Sequence, residues 1–356
     1  MCKRLFDWSP RESISSNKQL ADPLPYSTLS RTASVIGTGS YVPQRILTNT
    51  ELEKIVDTSD AWITSRTGIK ERRIAASDEF TSHMAAKAAQ EAMEQAKVQA
   101  NEIDMIVLAT VSPDTFFPAT ACHVQRLLGA KRAACFDISA ACSGFLYSLE
   151  VARQFICTAT YNTVLVVGAD RLSSLVDWND RNTCVLFGDG AGAAVLRYNR
   201  SGSKGIITTF MGSNGDYGNV LCMPGGGCAL PVTPENFAKR FNTIQMNGRE
   251  TFKLAITSMQ SAALCALQQA GLAISDIKCF VPHQANIRII EVLADRLKIP
   301  MERVYINLDR FGNTSAAAVA IALDEANRRG RFKAGDYILM VTFGGGLTWA
   351  SSIVQW

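Results

Sequence analysis

A chain of 356 residues, 47% hydrophobic and 19% charged, can bury one large core or two medium ones, which predicts a soluble globular protein. Its net charge of +4, with acids and bases interspersed, makes no case for nucleic acid, although a local basic patch can still meet an acidic partner. Ten cysteines without a Cys-x-x-Cys pair argue against a disulfide framework or a metal site and for reduced thiols in the cytoplasm; no apolar run reaches the roughly 18 residues of a membrane span.

Residues 1 to 32 carry Ser, Pro, Lys and Arg with little periodicity and read as an N-terminal extension or docking arm; they lack a secretory h-region, and Asp7, Glu12 and Asp22 argue against an acid-poor transit peptide. A strand is predicted at 33–36, a turn at Gly37, Gly39 and Pro43, and a short helix over 51–56 capped by Thr50. Residues 60–73 read as a polar surface loop in which Trp62, Arg66 and Thr67 stand out, since an indole beside an arginine can stack on a base and reach phosphate; an ordinary loop is the alternative. An alanine-rich helix over 82–98, a buried strand over 103–110, a loop with Phe116 and Phe117, and a helix over 121–128 follow.

The run Asp137-Ile-Ser-Ala-Ala-Cys142-Ser-Gly-Phe145 places one cysteine between a strand and a helix that continues to Ile156. The first N–H groups of a helix are unpaired and its dipole is positive there, so a thiolate at Cys142 is favoured and the residue is a candidate nucleophile. The alternative is a small apolar wedge between the two elements. A further buried strand is predicted at 164–168, and a glycine-rich run over 185–196 formally matches G-x-G-x-x-A. No helix follows it, so the glycines belong to a strand entrance and not to a nucleotide site.

The second half repeats this order of elements: 205–211 answers 33–40, the helix 250–270 and strand 277–281 answer 82–98 and 103–110, 313–328 answers the Cys142 helix, and 337–354 answers 164–196. That predicts an α/β protein of two duplicated halves, 33–204 and 205–356, with a site at their junction. His83 and His123 sit in helical patterns, whereas His283 follows a buried strand, where the ligands of α/β sheets gather. Asn313 stands at the helix start that answers Cys142; alone it would be a cap. Under the duplication, Cys142, His283 and Asn313 share one pocket.

The runs Val281-Pro-His-Gln-Ala-Asn-Ile-Arg288, Gly312-Asn-Thr-Ser-Ala316, Ala140-Ala-Cys-Ser-Gly-Phe145, Phe187-Gly-Asp-Gly-Ala-Gly-Ala193 and Phe343-Gly-Gly-Gly-Leu-Thr-Trp349 together resemble β-ketoacyl-acyl-carrier-protein synthase III from about residue 33 to the C-terminus. The resemblance implies the thiolase fold, five αβαβα layers, in a homodimer. It implies condensation of an acyl-CoA primer, usually acetyl-CoA, with malonyl-acyl carrier protein to give 3-oxoacyl-carrier protein, CoA and CO2, initiating fatty-acid biosynthesis without a metal or redox cofactor. Cys142 would be acylated, His283 and Asn313 would stabilise the enolate, and the N–H groups of Cys142 and Gly345 would form the oxyanion hole. Trp62, Arg66, Thr67 and Arg181 match CoA contacts, and Phe117 a residue reaching across the dimer into the acyl pocket. Lys253 and the run Gln284, Ala285, Asn286, Ile287, Arg288 match a carrier-protein dock. The loop 110–120 departs from the family and leaves primer length open. A type III polyketide synthase, with the same Cys, His and Asn, is the alternative; a cysteine hydrolase and a non-catalytic carrier-binding module lie further off.

Overall fold

A computed structural model describes residues 31–199 and 205–356, so nearly all of the expected extension lies outside the described residues. The first sheet contains β1 (Thr32–Tyr41), β2 (Met105–Ala109), β3 (Ala134–Ile138), β4 (Thr163–Arg171) and β5 (Asp189–Asn199); the second contains β6 (Gly205–Ser213), β7 (Ile277–Pro282), β8 (Tyr337–Gly344) and β9 (Thr348–Gln355). Their orders are β1-β5-β4-β2-β3 and β6-β9-β8-β7. Strand for strand they correspond, with β4–β2 and β8–β7 parallel and the pairs made by β5 and β9 antiparallel. The counterpart of β3 is reduced to a single parallel bridge, Phe280 to Val304.

Six helices complete the repeat: α1 (Thr81–Ala96), α2 (Thr120–Leu128) and α3 (Gly144–Cys157), answered by α4 (Gly248–Ala270), α5 (Ile287–Leu297) and α6 (Ala317–Arg328). Alternation along each strand assigns its two faces to different helix layers. In β2, Ile106 and Leu108 pack with Met84, Ala88 and Val124 of α1 and α2, while Met105 and Val107 turn to Phe145 and Leu149 of α3 and Val319 and Leu323 of α6. In β8, Ile338 and Met340 join that same central cluster, and Leu339 and Val341 pack with Met259 and Leu293 of α4 and α5. The layers therefore run α1/α2, first sheet, α3/α6, second sheet, α4/α5, which is the expected five-layer thiolase fold.

The sequence reading missed two local details. The short helix is Asn49–Leu52, capped by Thr48 in a box with Glu51 and not by Thr50, because the Thr48 hydroxyl accepts from the Glu51 N–H and the Glu51 carboxylate accepts from the Thr48 N–H. The segment 60–73 is not a loop: it holds a helix, Asp60–Thr67, and a strand, Glu71–Ile74, paired antiparallel with Arg45–Thr48. Ile63 and Ile69 within it and Ile74 just after it are buried, but so is the charged Arg72, and an apolar pattern cannot reveal a strand that hides an arginine. Among the described residues, no helix is long and apolar enough to cross a membrane.

Candidate active site

The Cys142 turn comes from β3 through a short 3-10 turn, Ala141–Ser143, into α3. Ala141 is left-handed at φ 46°, and Ser315, just before α6, repeats this at φ 52°. The matched conformations make Ala316 the counterpart of Cys142; Asn313 lies three residues earlier, not at the symmetry-related position itself. The turn is clasped from the other half. A methyl on Gly344 would lie 2.6 Å from the Cys142 backbone nitrogen, so only glycine lets the end of β8 come this close. The Thr348 hydroxyl donates to Ala140 O at 2.8 Å.

His283 stands at the end of β7, its backbone N–H donating to Val341 O at 2.8 Å. Asn313 is fixed by a bridge to Phe187: its N–H donates to Leu186 O at 2.8 Å and its carbonyl accepts from Gly188 N at 3.0 Å. The Asn313 Oδ1 accepts the Ser315 N–H at 2.9 Å, which assigns the amide and leaves Nδ2 as the donor available to the cavity. Cys142, His283 and Asn313 line one cavity of about 800 Å³, with Trp62, Arg66 and Thr67 on its wall. Arg249, Lys253 and Arg288 add further cations, and among the described residues no carboxylate lines it. A second, apolar cavity of about 120 Å³ lies behind Cys142, bounded by Val111, Leu172, Leu175, Leu221, Met223 and Ile244; Ser315 and Gly345 also border it, and Phe187 lines both.

The other expected residues divide by what their side chains touch. The helix Asp60–Thr67 ends at Gly68, at φ 80°, where a side chain would strike Ile287 2.7 Å away; this close approach brings Trp62 and Arg66 to the start of α5. Asn286 donates to Arg66 O at 3.2 Å and Arg288 to Ser65 O at 2.9 Å, so both hold this helix as well as lining the cavity. Arg181 does not line the cavity. It lies over the Trp62 ring at 5.2 Å and donates to Asp57 O at 2.7 Å. Ala285 and Lys253 are on the wall. Gln284 is a correction: it is 1% exposed, donates to Pro282 O and Tyr305 O and accepts from Asn307 N, so its side chain serves the fold and is out of reach of a docked protein. Phe117 lies outside both cavities and, with Phe116, is among the most exposed apolar side chains.

The electrostatics correct the expectation of a lowered thiol pKa. Burial, with Asp170 nearby, pushes Cys142 up to about 12, against the opposing pull of the Ser315 hydroxyl and the cysteine's own N–H. Desolvation outweighs the helix start. Asp170 is itself completely buried and raised by desolvation, although Thr110, Val111, Ser112 and Ala316 donate to it. Sequence reasoning missed Asp170, Ser315 and Phe187, because their role comes from where the two halves meet. Burial also draws His283 down to about 4, so it is neutral at pH 7, and its Nδ1 has no hydrogen-bond partner among the described residues.

That shift has a sign. Between the unfolded value near 6.5 and the folded value of about 4, only the unfolded chain binds the proton, so His283 destabilises the fold progressively as pH falls through this window. Wild type should lose on the order of 3 kcal/mol relative to His283→Gln between pH 7.5 and 4, read from urea unfolding at each pH; parallel curves for the two proteins would show that His283 titrates normally.

Comparison with known proteins agrees with this geometry. Residues 136–215 match the family described as 3-oxoacyl-[acyl-carrier-protein (ACP)] synthase III, and residues 267–356 match its C-terminal part. The chain is 55% identical over 324 residues to beta-ketoacyl-[acyl-carrier-protein] synthase III of Caldanaerobacter subterraneus, covering 91% of this chain and 98% of that one. To the protein of the same name from Desulfitobacterium hafniense it is 52% identical, covering 90% and 97%. The crystal structure of 3-oxoacyl-[acyl-carrier-protein] synthase III from Aquifex aeolicus superposes with a TM-score of 0.85 at 48% identity, over 91% of this chain and all of that one. With such identity over nearly the whole described fold, this chain belongs to the β-ketoacyl-acyl-carrier-protein synthase III family.

Proposed function

We propose that the chain condenses a short acyl-CoA primer with malonyl-acyl carrier protein, releasing CoA and CO2 and starting a fatty acid. The observation that carries this reading is the convergence of Cys142, His283 and Asn313 on one cavity that, among the described residues, is walled by Arg66, Arg249, Lys253 and Arg288 and by no carboxylate. Such a wall suits the phosphates of CoA and of a carrier protein's prosthetic arm, with Trp62, Arg66 and Thr67 on the CoA side and Lys253 and Arg288 facing an acidic carrier. Arg181 acts on CoA through Trp62. The second cavity is smaller than the roughly 150 Å³ that holds benzene, which favours primers of up to about five carbons at its 120 Å³. The buried cysteines Cys142, Cys157, Cys184 and Cys279 are unbridged thiols, which suits a reducing compartment and a cytoplasmic site of action.

In the first half-reaction Cys142 Sγ attacks the primer carbonyl, the C–S bond to CoA breaks, and the thiol proton ends on the departing CoA sulfur. His283, with its proton affinity lowered, is a poor acceptor for that proton. Acylation depends instead on the helix start and on the oxyanion donors, the N–H groups of Cys142 and Gly345. In the second, the malonyl C–C bond breaks, CO2 leaves, and His283 Nε2 and Asn313 Nδ2 donate to the enolate oxygen. A neutral imidazole suits this donor role. The enolate carbon then attacks the acyl group on Cys142, and the cysteine sulfur leaves. Decarboxylation drives the sequence, so the reading calls for no metal or redox cofactor. Holding Cys142 on one half and His283 and Asn313 on the other makes their spacing a property of the fold.

The two half-reactions should separate by mutation. Cys142→Ala should take no acyl mass from acetyl-CoA yet still release CO2 from malonyl-carrier protein. His283→Ala should still be acylated, while its CO2 release falls by about 10²- to 10³-fold. A folded His283→Ala protein that cannot be acylated would make histidine the base for the cysteine and overturn this division of labour. The same reading takes Phe116 and Phe117, 85% and 86% exposed, as partner-facing in a homodimer. Light scattering should give twice the chain mass, and an active monomer would contradict it.

A further inference from the structure

Arg72 heads the fully buried side chains. No carboxylate answers its charge at hydrogen-bond distance among the described residues; its guanidinium is spent on neutral oxygens, donating to Leu47 O at 3.1 Å, Asn49 Oδ1 at 2.9 Å and Val185 O at 2.7 Å. Burying a cation against carbonyls alone is expensive, and a well-packed apolar side chain usually costs less. The position of these oxygens gives the charge a use. Val185 opens the segment that continues through Leu186, Phe187 and Gly188, and this segment holds both sides of Asn313. The Arg72 stem also sits beneath both strands of that bridge: a methyl on Gly188 would lie 3.0 Å from Arg72 Cβ, and one on Gly312 3.3 Å from it.

We infer that Arg72 is a positioning residue for the second half-reaction: its fork ties the Val185–Gly188 segment to the Leu47–Asn49 edge and so sets where Asn313 presents its amide and where Phe187 divides the two cavities. It touches neither cavity itself. A lysine cannot replace it, because a single ammonium cannot serve three oxygens in the plane of a fork. The inference rests on the reading that Asn313 stabilises the enolate while Cys142 is acylated independently. Because Asn49 also ties to Asp60 and Ile69 O, loss of Arg72 is expected to disturb CoA affinity, and the decisive rate is the one at saturating acetyl-CoA.

The experiment uses the full chain and its Arg72→Lys, Arg72→Met and Gly188→Ala variants. The last presses on the same segment from the other side, since its methyl would meet Phe311 O at 2.4 Å. Acyl mass on Cys142 at saturating acetyl-CoA and labelled CO2 from malonyl-carrier protein are measured on each, with circular dichroism as the folding check. The expected result in the folded variants is CO2 release lowered at least ~10-fold, as for an active-site misplacement of under an ångström, with saturating acylation within about threefold of wild type, the larger effect falling on kcat of the second step. Equal losses in both half-reactions, no loss in either, or a set in which no variant folds would each overturn the inference and leave Arg72 a residue of the fold. Wild type that performs neither half-reaction would refute the functional reading instead, so the two failures are told apart.

Discussion

The structure depends on burying two helix starts against each other. Helices α3 and α6 lie between two sheets, where the first N–H groups of a helix find no water, and each must be answered by protein or substrate. At α6 the Ala316 N–H donates to the buried Asp170 carboxylate at 3.2 Å. At α3 the corresponding residue is Cys142, bordering both cavities. Duplication thus supplied two equivalent helix starts, one sealed by a carboxylate and the other open to the two cavities. The left-handed residues before each, Ala141 and Ser315, are the local cost of turning so sharply from loop into helix.

Everything else at the site is held by reference to that junction. His283 and Asn313 come from the other half, and the end of β8 reaches so close that Gly344 abuts the Cys142 backbone. The helix carrying Trp62 and Arg66 is pinned to the start of α5 by Asn286 and Arg288. The expected site residues are therefore not independent: Asn286 and Arg288, expected to meet a partner protein, also build the wall of the cavity that Cys142 lines. The low dielectric that makes the Cys142 thiol hard to ionise also strengthens each hydrogen-bond donor aimed into the cavity.

Much of this was legible in the sequence, for identifiable reasons. Strands buried on both faces read as continuous apolar runs, and the order of those runs repeated, so the duplicated halves and the placement of Cys142, His283 and Asn313 at element boundaries could be read directly. The failures cluster where tertiary contact overrides local pattern. Arg72 looked like surface because charge normally is; Gln284 looked like part of a docking motif although its amide is spent on backbone groups; and the thiol pKa followed from the helix start only until burial and Asp170 were weighed against it. The fifth strand of the second sheet, shrunk to one bridge, left no pattern to detect.

The central claim is that one carbon–carbon bond forms between an acyl group carried by Cys142 and a carbon made nucleophilic by decarboxylation. It is tested most directly by supplying acetyl-CoA labelled with carbon-13 at its carbonyl together with malonyl-acyl carrier protein, and locating the label in the product by mass spectrometry and NMR. The account predicts 3-oxobutanoyl-carrier protein with the label at C3 and one unlabelled CO2 released per molecule formed. Label recovered as free acetate, or on the carrier protein as an unextended acetyl group, would contradict it.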